Sequence, residues 1–154
     1  MSKATVVLQN GSQMTTNYDV TKIFLGGNRY KQASLKNTTG AELTLLAGRL
    51  LAKQSAIAVD TTNVVGGLTP HLSTNVEANV AVGVLAQDLV IAIGATALNV
   101  NYCIAGDFDQ SALILGGSDT LATIIGGKAI REQIIAETQL IGVTIDQLSG
   151  YDNQ

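Results

Sequence analysis

The sequence predicts a mainly β fold with a minor helical part: a small barrel-like or sandwich-like domain with an extended N-terminal arm and one C-terminal helix. Three observations carry this. Short apolar runs are separated by glycine- and asparagine-rich turn signals along most of the chain. Residues 96–105 alternate in the manner of a strand. Only the stretch after Gly127 spaces its isoleucines as a helix does.

Residues 1–30 read as a polar arm, punctuated by Asn10-Gly11-Ser12 and Gly26-Gly27-Asn28, with a short extended piece over 20–25. Residues 31–154 form a single β-rich domain with no internal repeat. Its strand signals begin at Tyr30 and run to Lys36, where Asn37-Thr38-Thr39-Gly40 makes a turn. Residues 43–52 hold five leucines and would suit a helix, but the central Gly48 costs about 1 kcal/mol there relative to alanine. Two short strands bent at Gly48 are expected instead. Residues 55–59 are a further strand candidate, 61–69 a loop, and Pro70 and His71 follow it. Residues 81–86 make an apolar strand, Gln87-Asp88 breaks it and 89–93 resumes.

In the alternating strand 96–105, Leu98, Val100, Tyr102 and Ile104 fall on one face and Asn99, Asn101 and Cys103 on the other. Gly106-Asp107-Phe108-Asp109 is expected to turn the chain, with 111–115 continuing it. Ser118-Asp119 is expected to cap a turn through Leu121, Ile124 and Ile125. In the helix, Ile130, Ile134 and Ile135 share a face, with Arg131, Glu132 and Glu137 pointing away. Residues 140–145 close the domain as a strand.

Composition narrows the function. The 154 residues are 46% hydrophobic and only 14% charged, with one cysteine and one histidine. That excludes wholesale disorder, an intrachain disulfide and a Cys/His zinc cage. The scarcity of ionisable groups argues against an enzyme, and the apolar excess argues for burial between subunits. Charge is uneven: residues 1–53 hold seven cations and two acids, whereas 54–154 hold two cations and ten acids. A basic arm docking on an acidic partner is the expected meaning. The N-terminus has no apolar stretch of signal-peptide length, and 89–98 is about half of the ~20 residues a membrane span needs. A soluble protein made in a cytoplasm, without membrane contact, is expected.

Candidate chemistry is thin. None of the four Gly-Gly doublets has phosphate-loop spacing, so β-turns explain them better. Cys103 and His71 lack any local nucleophile signature: Cys103 reads as a small apolar strand residue and His71 as a surface or interface histidine. Asp107 and Asp109 are too few for a metal site, and a turn in which an aspartate bonds its own backbone fits them better. No cofactor is implied. Nucleic acid is disfavoured as a partner by the net charge of −3 and the few aromatics near the cations.

Residues 81–86, the alternating strand 96–105, the Gly106-Asp107-Phe108 turn and Leu113 resemble the head decoration proteins of lambda-like tailed bacteriophages. Gly48-Arg49-Leu50-Leu51-Ala52 and Pro70 follow the same order of features. The resemblance spans about residues 40–148 and is most specific over 81–115. It implies a compact β-tulip domain that forms homotrimers on the outer capsid surface of the virion, after synthesis in the host cytoplasm. There it stabilises the expanded head. It also implies an arm that orders on the major capsid protein, with Lys22, Phe24, Arg29, Tyr30 and Lys31 as the capsid-binding residues. Gly48, Pro70, Gly83, Gly106 and Phe108 are the structural positions of the motif. No catalytic residue is implied. The alternative expectation is a head-fibre base or a host- or glycan-adhesion module.

Overall fold

The computed structural model of the chain describes residues 3–7, 13–17, 23–54 and 67–143. Within these, a closed five-stranded β-barrel forms the body, with one helix against its outer side. The strands are β1 (Lys3–Val7), β2 (Gln13–Asn17), β3 (Phe24–Lys36), β4 (Leu43–Leu45), β5 (Leu50–Lys53), β6 (Leu68–Pro70), β7 (Ala81–Leu85), β8 (Leu89–Ile91), β9 (Thr96–Asp109), β10 (Ile124–Ile125), β11 (Lys128–Ala129) and β12 (Gln139–Val143). The helix is α1 (Ile130–Glu137).

The main sheet runs β12-β9-β3-β6-β5-β7, and β7 pairs back onto β9 to close the barrel. β3 and β9 are its long antiparallel spine, and β12 adds to β9 in parallel outside the closed ring. β4 pairs with β8 in a separate ladder. β1 and β2 pair only with each other among the described residues.

Each of the five barrel strands contributes one buried apolar residue to an inner cluster: Leu35, Leu68, Leu51, Leu85 and Val100. Leu45 of β4 and Ile91 of β8 close it at one end. The next residues along β5 and β7, Leu50 and Val84, point the other way. They join Ala81, Cys103 and Phe108 beneath Ile130 and Ile134 of α1 and Leu140 of β12. A strand alternates its side chains between two faces, so strands buried on both faces read as unbroken apolar runs. That is why residues 50–52 and 81–85 lack a polar alternate.

Several expectations change. The boundary expected at residue 30 falls inside β3, whose Phe24 already packs against the outer cluster. Leu68 and Thr69, expected in a loop, begin β6, and Pro70 pairs opposite Leu51 at its end. The 106–109 turn does not form. β9 continues through it, because β12 and the start of β3 supply ladder partners on both sides. Register slips along the β3–β9 pair shift the alternation, so burial passes from Val100 to Cys103, Ala105 and Phe108, while Leu98 is 72% exposed.

Residues Gln110–Ala112 are a 3-10 turn rather than strand, capped by the Asp109 carboxylate, which accepts from the Ser111 amide at 2.9 Å. Ser118-Asp119 caps no helix: the Asp119 carboxylate accepts from Ser73, and Ile124 and Ile125 sit in the β10–β11 hairpin. α1 buries Ile130, Gln133 and Ile134, and leaves Ile135 exposed. The Glu132 carboxylate accepts from the Ala129 amide at 3.1 Å, satisfying one orphan donor of the first turn. The strand expected over 55–59 lies outside the described residues, as do 144 and 145 of the closing strand.

Candidate functional site

The cations expected to grip a partner come together at an open groove. Arg29 and Lys31 lie two residues apart on β3, so both project from one face of the strand. They line a cavity of about 620 Å³ with Val82, Tyr102, Ile104 and the end of α1 at Glu137. Val82 and Glu137 also line an adjoining cavity of about 470 Å³, which continues past Lys53, Val76 and Val80. The two make one trough with an apolar floor and charged rims. Val82 and Tyr102 of the floor pack from below against the inner cluster, which ties the trough to the rigid barrel.

Arg29 is held in place by donating a hydrogen bond to the Gln139 side-chain oxygen of β12. Gln32 Nε2 donates to Asn101 Oδ1 at 2.9 Å and fixes the same β3–β9 ladder one turn of pleat further on. Tyr30 lies on the opposite face from Arg29 and Lys31, half-exposed, with its ring edge-on to Phe24 at a centroid distance of 5.7 Å. Burial, and to a lesser degree the nearby Cys103, raises the Tyr30 hydroxyl pKa above its ordinary value. Burial likewise raises that of Tyr102. Both phenols are neutral donors at pH 7. The five residues expected to contact the capsid are therefore divided: Arg29 and Lys31 share the groove, Phe24 and Tyr30 form a pair elsewhere, and Lys22 lies outside the described residues.

The motif positions are packing sites. At Gly83 a Cβ would stand 2.5 Å from the Cys103 carbonyl oxygen and 2.6 Å from Tyr102 Cδ2, so β7 can close onto β9 only without a side chain there. Gly106 has φ +101°, and a Cβ would meet Gly26 O and Asn28 Nδ2 at 2.7 Å. Asn28 Nδ2 donates to the Asp107 carbonyl at 3.0 Å across this crossing. Gly48 turns the chain from β4 to β5, Pro70 ends β6, and Phe108 is fully buried in the outer cluster.

Sequence reasoning missed the polar interior. His71, expected at the surface or at an interface, is instead fully buried within the chain, because the end of β6 tucks it beneath α1. Its Nε2 donates to Asn79 O at 3.2 Å and Gln133 Oε1 at 3.3 Å, while Nδ1 has no partner among the described residues. Burial lowers its pKa, against the opposing pull of the hydrogen bonds to Gln133 and Asn79. Burial also works to raise the Asp119 pKa, but donation from the Ser73 hydroxyl and amide, together with the nearby His71 and Arg49, outweighs it and the net direction is down. Cys103 and His71 belong to different contacts: the Cys103 thiol donates to Ala105 O at 3.2 Å. Among the described residues no group of three or more metal-ligating side chains gathers, and no helix is long and apolar enough to cross a membrane.

Large apolar side chains stand in the open on several faces. Val76 is 81% exposed beside the trough, Val90, Ile93 and Leu98 cluster in sequence around the β8–β9 connection, and Ile124, Ile135 and Ile141 are exposed on the helix side. From Leu89 to Gly106 the chain carries no charged residue at all. No known family model matches this sequence, and no match is found among curated proteins.

Proposed function

We propose that this chain is a viral structural protein: a trimeric capsid decoration protein that binds the outer surface of the expanded phage head, through the major capsid protein, and stabilises it. The observation that carries the reading is the set of exposed apolar side chains. Val76, Val90, Ile93, Leu98, Ile124, Ile135 and Ile141 are each more than half exposed, and all belong to a chain with little charge to shield them. Apolar side chains left in the open suit coverage by protein where they adjoin one another, as Val76 and Val80 do at the trough. A trough with an apolar floor and rims that carry Arg29, Lys31 and Lys53 beside Glu77 and Glu137 adds a place for an extended segment of a partner.

The N-terminal strands support an arm. β1 and β2 form their own ladder, joined to no barrel strand among the described residues, while the barrel from β3 onward has its own core. An arm outside the barrel is available to a partner without disturbing the fold. The resemblance over residues 81–115 points to the same role. Many identical contacts on a symmetric shell convert weak single contacts into stable attachment, and binding only the assembled shell stabilises it by mass action.

The deciding experiment is co-sedimentation of the purified protein with expanded and unexpanded empty heads. Saturable binding to expanded heads, with raised heat resistance of the shell, is expected. Failure to bind either shell overturns the reading.

A further inference from the structure

His71 belongs to the barrel but reaches across to α1. Its amide donates to the Leu50 carbonyl at 3.0 Å, which pins its backbone to β5. The side chain is fully buried, and Nε2 meets two acceptors: Asn79 O on the segment before β7 and Gln133 Oε1 on α1. Two carbonyl oxygens at one nitrogen fix the tautomer, so Nε2 carries the hydrogen and Nδ1 is the bare nitrogen. Nδ1 is buried without a partner among the described residues. A proton arriving there makes an N–H with no acceptor and a charge shut away from solvent.

The charged groups around the ring do not accommodate that charge. Asp119, in the turn at 116–119, attracts it, but its carboxylate is engaged by Ser73, and Arg49 from the Gly48 turn repels it. α1 turns the neutral Gln133 to the ring and leaves Arg131, Glu132 and Glu137 exposed. Glu77, on the segment before β7, is exposed as well, and β6 and β7 carry no charged residue. Burial outweighs the hydrogen bonds and the pull of Asp119, and the imidazole pKa is held below its ordinary value.

Of the elements that seal the ring, α1 is the one that can give way. The inner cluster takes its buried residues from the barrel strands, β4 and β8 and none from α1, so the barrel has a core without it. α1 is eight residues long, too short to hold itself, and follows a hairpin whose two strands pair only with each other among the described residues. The Ile130 and Arg131 amides donate to Thr123 O and Leu121 O, on the same stretch of chain. A cavity of about 60 Å³ lies beneath the helix, between Phe108, Leu121 and Ile134. What fastens α1 to the barrel is Ile130 and Ile134 in the outer cluster and Gln133, whose Oε1 accepts from His71 and from the Ala81 amide. We propose that α1 is an acid-released cover: when His71 Nδ1 takes a proton, α1 and its hairpin lift to let the imidazolium reach water. The outer apolar face is then bared, while the inner cluster keeps the barrel closed. This switch belongs to the single chain and does not depend on the capsid reading.

Cys103, the sole cysteine, is buried in that outer face and reports the opening. Its rate of reaction with dithiodipyridine in the full chain, compared with the rate in the urea-unfolded chain at the same pH, gives a protection factor. Between pH 7.5 and 5 this factor is expected to fall at least tenfold, towards a ceiling of about thirtyfold for one proton taken up at an ordinary histidine pKa. At pH 5 it is expected to lie at least tenfold below the folded-to-unfolded ratio from urea unfolding, with a shallower urea dependence, as a local opening requires. His71→Gln keeps a donor for Gln133 and cannot charge, so its protection factor is expected to stay level over the same range. Amide exchange of the wild-type chain at pH 5 needs no variant: residues 130–137 are expected to exchange faster than 31–35 and 100–102 of the inner strands. A level protection factor in the wild type, the urea dependence of global unfolding, an equal fall in His71→Gln, or exchange of α1 in step with the inner strands each overturns the proposal.

Discussion

Replacing Asn37 with alanine removes the polar plug at one end of the barrel. Its side chain is fully buried, and Nδ2 donates to three carbonyls: Ala41 at 2.8 Å, Ile91 at 3.0 Å and Ala92 at 3.1 Å. Its Oδ1 accepts from the Thr39 amide at 2.9 Å and the Thr39 hydroxyl at 2.6 Å. The Ala41, Ala92 and Thr39 groups are near solvent and can exchange a lost partner for water, at a cost of about 0.5 kcal/mol each. The Ile91 carbonyl cannot, because Ile91 is buried, and a stranded acceptor costs about 1–3 kcal/mol. Asn37→Ala is therefore expected to lose about 3–4 kcal/mol, or roughly 10 °C of Tm for a domain of this size. Urea unfolding followed by far-UV circular dichroism measures it. Asn37→Asp should lose at least as much, since it keeps the acceptor for Thr39 but sets a carboxylate against three carbonyls. A loss below about 0.5 kcal/mol in both variants would refute the assignment of Asn37 as the plug.

Three further outcomes are expected. Gly83→Ala should destabilise by about 3 kcal/mol or more, because the colliding atom at 2.5 Å is the Cys103 backbone oxygen; a wild-type Tm in this variant would show that β7 and β9 can part. His71 has a folded pKa below its unfolded value of about 6.5, so its contribution is complete above that pH and is lost as pH falls through the unfolded and then the folded value. Chemical denaturation between pH 7.5 and 5 should show this decline, and a matching decline in His71→Gln would assign it to other groups. Removing residues 2–22 should leave a folded barrel that no longer attaches to shells, whereas removing 2–28 should also cost about 2 kcal/mol by taking Phe24 from the outer cluster. Equal thermal stability of the two truncations would contradict the packing of Phe24.

Much of the local structure is legible in the residues. Alternation and turn signals mark the strands at 30–36, 43–52, 81–85 and 96–105, and isoleucine spacing marks α1. These features depend on local backbone geometry and on a period that a single segment carries by itself. Gly48 stands out for the same reason, whereas Gly83 and Gly106 are marked by the resemblance, and the close approaches that need them come from neighbouring strands. Leu68 and Thr69 escape notice as strand because their segment is short and ends in proline. Only the ladders with β3 and β5 make it extended.

The order of residues by itself determined a mainly β, lightly charged chain whose basic residues gather towards its start. Tertiary structure decided what those residues meet. Nothing local distinguishes a strand that turns at Gly106 from one that continues, and the partners on either side resolve it. Nothing local tells that Arg29 and Lys31 would share a trough with Tyr102 and Glu137, or that His71 would be sealed beneath Gln133. Those meetings are long-range closures of the barrel. They arise from burying two apolar faces of one sheet at once, a condition set by the whole chain and not by any stretch of it.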